Sequence, residues 1–263
     1  MSSGDPVERW RSARRDPGRA VLEGFHPLKH ALRFGAEILE AAAPDPGAVV
    51  DLAASLAPDV RDHVAEVVES VEPSIFDRLV PRPPASGVVA MARRPTVETR
   101  EVLGDPAPAP VIFLDRPRRM GNIGAVVRVA AAAEAAGVLS SGPHDPWNPA
   151  AIRGAAGLHF ALPVARVDAL PDTDRPVVAV DPEGEPLEPG SIPPRALLAF
   201  GTERHGLSRS LLGRARRRVA IPMRSGVSSL NLATAVAVVL YVGREGFALE
   251  PGGGDRDIGA DPG

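Results

Sequence analysis

Short apolar runs recur through the second half of the chain with little polar alternation: Val111 to Asp115, Val177 to Asp181, Ala196 to Phe200 and Val219 to Pro222. Runs this short, bounded by Gly, Pro and Asp, read as strands buried on both faces. Apolar residues at helical spacing over Gly124 to Ala136 and Ser229 to Arg244 read as helices. Strands alternating with helices predict an α/β fold with a mostly parallel sheet, and such sheets bind ligands beyond the carboxyl ends of their strands. The loops after Asp115, Phe200 and Pro222 are therefore where chemistry is expected.

The first half is patterned differently. A short strand over Val21 to Phe25, a proline-started helix over Pro27 to Phe34, helical spacing through Ala48 to Val71 and a strand over Val88 to Ala92 predict a small α/β unit over residues 19–103. Three prolines in Gly104 to Pro110 exclude a helix and suit an extended linker, leaving residues 111–248 as a second domain. Residues 1–18 are polar, arginine-rich and without periodicity, which predicts a flexible arm, and the glycine-rich residues 249–263 predict a disordered tail.

Composition narrows the function classes. The longest apolar run, Ala235 to Val242, is too short to cross a bilayer, and Met1 to Asp16 has no apolar signal core, so a soluble cytoplasmic protein is expected. The 263 residues contain no cysteine, which removes disulfides, thiolate nucleophiles and cysteine-ligated metals. A formal charge of −3 argues against nucleic acid until the sign is mapped along the chain. Arg116, Arg118 and Arg119 cluster, and Arg204 to Arg218 holds six arginines and no acid, while four acids fall in Glu250 to Gly263. Lys29 is the sole lysine, so the positive charge is almost all forked guanidinium. That suits phosphate, although a compositional bias of the source genome produces the same excess.

Each of the three loops carries polar residues with an ordinary alternative reading. Asn122 suits a helix N-cap, and Arg128 follows Gly124 by one turn. Gly201 lets backbone approach a ligand, with Glu203 just beyond it at the sheet edge, yet a glycine turn with a solvated glutamate reads as well. After Ile221 and Pro222, Ser228 or Ser229 can cap the last helix, which leaves Asn231 as a polar amide in an apolar first turn needing a partner. His26 and His30 stand four apart without a third ligand, so no metal site is expected, and no nucleophile elbow or phosphate-binding loop motif occurs.

Taken in order, Asn122-x-Gly124-x-x-x-Arg128, Gly201-x-Glu203-x-x-Gly206-Leu207, and Ile221-Pro222 with Ser229-Leu230-Asn231 resemble the SpoU/TrmH family of RNA ribose 2′-O-methyltransferases. The resemblance covers Pro110 to about Arg244, and Leu22 to Leu32 more loosely resembles the start of the family's small substrate-binding domain. It implies a trefoil-knotted catalytic domain binding S-adenosylmethionine, a homodimer, and structured RNA as substrate, with no membrane partner. A separate amino-terminal domain favours ribosomal over transfer RNA. The resemblance assigns catalysis to Arg128 with Asn122, Glu203, Ser229 and Asn231, and cofactor contacts to Gly201, Ile221 and Leu230. Arg116, Arg118, Arg119 and Arg153 are candidate phosphate contacts, with a solvated surface role equally open. Arg128 has two open roles: a base deprotonated by an unusual environment, or a charged clamp that lowers the hydroxyl pKa. A binder of structured RNA on the same scaffold, without methyl transfer, is the non-enzyme alternative, and transfer RNA the alternative substrate.

Overall fold

The computed structural model describes residues 5–202 and 206–243. The first unit begins with helix α1 (Pro6–Ala13), strand β1 (Arg19–Glu23), α2 (Phe25–Arg33), β2 (Ile38–Ala43), α3 (Pro46–Leu56), α4 (Arg61–Val67) and β3 (Val68–Ser70). It continues through α5 (Pro73–Leu79) and β4 (Val89–Arg93), and α6 (Thr99–Gly104) leads to the second unit. There the order is β5 (Val111–Leu114), α7 (Met120–Ala132), β6 (Gly137–Ser140), α8 (Pro149–Gly154), β7 (Val164–Arg166) and β8 (Val177–Pro186). β9 (Leu197–Phe200), α9 (Arg209–Arg214), β10 (Arg217–Ala220) and α10 (Leu232–Val242) complete it.

The first sheet runs β1-β4-β2-β3, with β4 antiparallel to both β1 and β2. The second is six-stranded, ordered β10-β8-β9-β5-β6-β7, and every neighbouring pair is parallel. Its strands alternate between two cores: Ile112 and Leu114 of β5 face one, Val111 and Phe113 the other. The first of these cores continues into the amino-terminal unit, where Leu22, Phe25 and Leu28 pack in the same cluster as Ile123, Val126 and Ile152. The two units thus share buried surface.

Three expectations change. Residues 5–18 are not a loose arm, because Asp5 caps α1 at the Val7 amide and Trp10, fully buried, packs with Phe76 and Met91 on the outer face of the first sheet. The signal was the Asp-Pro start with Val7, Trp10 and Ala13 at helical spacing. The expected boundary at 103/104 also moves, since Val102 and Leu103 of α6 are buried against the second sheet. The segment after α6 is pinned: Arg175, 2% exposed, donates to the carbonyls of Val102, Leu103, Asp105 and Ala109. The tail 249–263 and Arg244 lie outside the described residues.

Candidate functional site

A cleft of about 370 Å³ opens at the carboxyl ends of the central strands. Val180 and Asp181 of β8, Phe200 and Gly201 at the end of β9, and Ile221 just after β10 form its floor, and Ser228, Ser229, Leu230 and Leu232 close it. The expected cofactor residues Gly201, Ile221 and Leu230 therefore meet in one cleft, with Ser229 on its wall. Gly201 is required sterically, because a Cβ there would stand 2.1 Å from the Gly206 backbone carbon. Thr202 and Gly206 exchange two backbone hydrogen bonds of 3.0 Å, and Gly206 has a left-handed φ of +60°.

Asp115 fastens this loop to the sheet. Buried at the end of β5, its carboxylate accepts the Ser208 amide at 2.8 Å and the Arg116 Nε at 3.3 Å. The sequence reading used Asp115 only to end a strand; a carboxylate closing an apolar run was the signal for this role.

Asn231 departs from expectation in an informative way. It is itself the N-cap of α10, its Oδ1 accepting the Ala233 amide at 2.9 Å, while Ser228 and Ser229 are exposed and precede the cap. Its Nδ2 donates to Asn122 Oδ1 at 3.3 Å, which supplies the partner its amide required. Asn122 is not an N-cap, because α7 starts earlier, with Arg119 at the cap position. The two asparagines tie α10 to α7 beside Leu230 and Leu232 at the cleft. Gly124 serves packing: a Cβ would fall 2.1 Å from the Ala151 carbonyl of α8.

Arg128 is exposed on α7, away from the cleft lining. Its charge acts on His26 and Lys29 of α2. The His26 imidazole is held below its ordinary value by burial first, then by Lys29 and Arg128. Glu203 lies outside the described residues, as do Arg204 and His205. Arg116, at φ +53°, pairs with Asp115, and Arg118 and Arg119 are exposed at the entry to α7. Arg153 is engaged across the two units, donating to the buried Glu23 carboxylate at 2.7 Å, which Arg14 also contacts. Two arginines of the run near α9 are likewise engaged: Arg214 donates to the Leu170 and Pro171 carbonyls, and Arg217 pairs with Glu185 at 2.9 Å. Among the described residues, no group of three or more His, Asp or Glu is placed to hold a metal, and no helix is long and apolar enough to cross a membrane.

Residues 109–241 match the SpoU rRNA Methylase family. The chain belongs to this family. The match spans the cleft, α7 and α10 together. Among relatives, the 23S rRNA (adenosine(1067)-2′-O)-methyltransferase of Streptomyces laurentii is 30% identical over 240 residues, 84% of either chain. The 23S rRNA (uridine(2479)-2′-O)-methyltransferase of Streptomyces viridochromogenes is 33% identical over 144 residues, about half of each chain. The crystal structure of the SpoU methyltransferase AviRb from Streptomyces viridochromogenes with AdoMet superposes with a TM-score of 0.73 at 23% identity, covering 90% of this chain and 96% of that one. The crystal structure of an RNA 2′-O ribose methyltransferase gives a TM-score of 0.67 at 28% identity, covering 92% and 95%. The six-stranded parallel sheet is thus that of the family's α/β-knot fold.

Proposed function

We propose that the protein transfers a methyl group from S-adenosylmethionine to a ribose 2′-hydroxyl of structured RNA in the cytoplasm, with 23S ribosomal RNA rather than transfer RNA as substrate. The observation that carries the reading is the cleft that gathers Gly201, Ile221, Ser229 and Leu230 at the strand ends, with the Asn122–Asn231 bond beside it. Its size suits a small organic cofactor. Apolar walls from Val180, Phe200, Ile221 and Leu232 suit a nucleobase, and the Asp181 carboxylate with the Thr202, Ser228 and Ser229 hydroxyls suits a cationic, hydroxyl-bearing remainder. The cofactor, when bound, supplies an electrophilic methyl on a cationic sulfur.

The chain's part is positioning and electrostatics. A ribose hydroxyl is a poor nucleophile, so it must be held in line with the methyl while negative charge develops on its oxygen. The Asn122–Asn231 bond fixes α7 against the first turn of α10 and so holds the substrate and cofactor sides in register. Of the two roles open for Arg128, the charged clamp fits its setting, because a guanidinium stays protonated and its exposed position beside His26 and Lys29 suits a phosphate. From the phosphate, its charge favours the alkoxide form of the neighbouring hydroxyl. The resemblance also gives Glu203, outside the described residues, a part in catalysis. The resemblance supports a homodimer, and Tyr241 and Val242, each over 40% exposed near the end of α10, offer apolar surface for it.

The similarity to 23S rRNA methyltransferases along most of both chains supports the ribosomal substrate. Incubating the protein with methyl-labelled S-adenosylmethionine and unmodified 23S rRNA or transfer RNA transcripts tests the reading. Label in 2′-O-methylnucleosides of the 23S transcript is expected. Label confined to transfer RNA would replace the substrate, and RNA binding without label would leave an RNA-binding protein.

A further inference from the structure

Among the described residues, Lys29 of α2 and Arg128 of α7 carry positive charge that no carboxylate bonds, with the exposed His26 imidazole beside Lys29. His26 and Lys29 stand three apart on α2 and so share a face. Their position relative to α7 is fixed by two successive close contacts. α2 is seated on the turn after α8: His30 Nδ1 lies 2.6 Å from the Ala156 carbonyl oxygen, and at Gly157, with φ +80°, a Cβ would stand 2.6 Å from the Pro27 Cα. α8 in turn packs on α7 where Gly124 meets the Ala151 carbonyl. This stack brings His26 and Lys29 within the field of Arg128.

Among the described residues, no carboxylate bonds to His26, Lys29 or Arg128. The carboxylate that acts on Lys29 is Asp59, and both of its oxygens are already taken by Arg33 at 2.7 Å. Lys29 holds its proton less readily than an ordinary lysine, from burial first, then from Arg33, and also from Arg128. Packing that holds Lys29 within the field of Arg128, with neither bonded to a carboxylate among the described residues, is disfavoured unless an anion joins them, and the His26 imidazole can add a hydrogen bond to that anion. The ammonium of Lys29, the chain's single lysine, is a compact charge suited to one phosphate oxygen, beside a guanidinium suited to two.

We propose that His26 and Lys29 of α2 join Arg128 of α7 in a seat for one backbone phosphate of the substrate RNA, so that the amino-terminal unit completes the substrate side of the active site. The inference rests on the proposed function and deepens it. It gives α2 a definite task, setting the strand so that the ribose beside the bound phosphate presents its 2′-hydroxyl. His26 and Lys29 are then positioning residues, acting on the nucleotide that Arg128 holds.

The test is equilibrium filter binding of an unmodified 23S rRNA transcript at several salt concentrations, with wild type, Lys29→Gln, His26→Gln and Lys29→Arg, alongside calorimetric titration of S-adenosylmethionine. Lys29→Gln is expected to weaken RNA binding by roughly three- to tenfold and to flatten the slope of log affinity against log salt by about 0.7 to 0.9. His26→Gln should weaken binding less, Lys29→Arg should restore most of the loss, and cofactor affinity should stay at the wild-type value throughout. Unchanged affinity and slope in Lys29→Gln, with wild type binding and methylating the transcript, would overturn the phosphate seat alone. A wild type that does not bind the transcript would overturn the proposed function as well. Equal losses in Lys29→Gln and Lys29→Arg, with lowered melting temperatures, would make Lys29 a structural residue and overturn the proposal.

Discussion

Replacing Arg175 by methionine tests how the segment between α6 and β5 is held. The guanidinium is buried and its partners are all carbonyls: Leu103 and Ala109 at 2.8 Å, Asp105 at 2.9 Å, Val102 at 3.2 Å and Arg195 at 3.4 Å. Methionine keeps much of the volume and removes every donor. The Asp105 and Leu103 carbonyls retain a second donor, the Arg195 side chain, at 3.0 and 3.4 Å. The Val102 and Ala109 carbonyls lose their donor, while the Arg195 carbonyl loses only a long contact at 3.4 Å that contributes little. A buried orphaned carbonyl costs about 1–3 kcal/mol, so the pair costs about 2–6 kcal/mol. Relief from burying a charge offsets part of this, leaving about 3 kcal/mol. For a chain of this size that lowers Tm by roughly 6–12 °C. Urea and thermal denaturation of wild type and Arg175→Met measure the difference. S-adenosylmethionine affinity below the transition should be unaffected, because Arg175 is not part of the cleft lining. A loss under about 1 kcal/mol would refute the reasoning and show that the carbonyls find other donors or water.

Stability should also depend on pH through His159. Fully buried, its Nε2 lies 2.8 Å from the Pro146 carbonyl and its ring packs on Trp147; burial lowers its pKa from 6.5 to about 4. Because the unfolded chain takes up this proton first, the contribution is full above pH 6.5 and is lost as pH falls towards about 4. The loss amounts to roughly 3 kcal/mol in wild type alone, so its urea midpoint should fall across that range by an amount that His159→Gln does not show. Gly124→Ala should cost more than about 2 kcal/mol because its Cβ meets the α8 backbone, whereas Gly121→Ala, on the same helix with nothing within 4 Å, should be neutral or stabilising by up to about 1 kcal/mol. Asn231→Ala should destabilise α10 by about 1 kcal/mol through loss of the cap and also lower methyl transfer, while Ser228→Ala should leave helix stability unchanged.

The parallel sheet was legible because β5, β8, β9 and β10 are apolar runs between breakers, and buried parallel strands have that pattern. β2 was missed because Ile38 to Ala43 has three alanines, a leucine and a glutamate, which favour helix locally; its pairing with β4 and β3 overrides that preference. β7 was hidden by its three-residue length, and β6, as long as β5, by its sequence, since Gly137-Val138-Leu139-Ser140 holds only two sizeable apolar residues. Gly201, Ile221, Ser229 and Leu230, which the resemblance named, lie together in the cleft from the loops after β9 and β10, whereas Asp181 and Pro182 of β8, also in its lining, had no motif to mark them and the loop after Asp115 does not enter it. Residue roles were less readable. Asn231, expected in the first turn of the last helix, is instead its cap, and Arg153, open from the sequence to RNA or to solvent, is engaged by Glu23, 130 positions earlier. Neither the Asn122–Asn231 bond nor the approach of α2 to Arg128 has a local signature, since both join residues about 100 positions apart in sequence through tertiary packing.

The central claim is that the cleft at Gly201, Ile221 and Leu230 holds the methyl donor. Calorimetric titration of S-adenosylmethionine into wild type and Leu230→Arg tests it most directly, because Leu230 is 38% exposed and its replacement fills the cleft without disturbing the core. One site per chain is expected in wild type, with at least about tenfold weaker binding in Leu230→Arg at an unchanged melting temperature. No binding by wild type, or equal affinity in the two proteins, would contradict it.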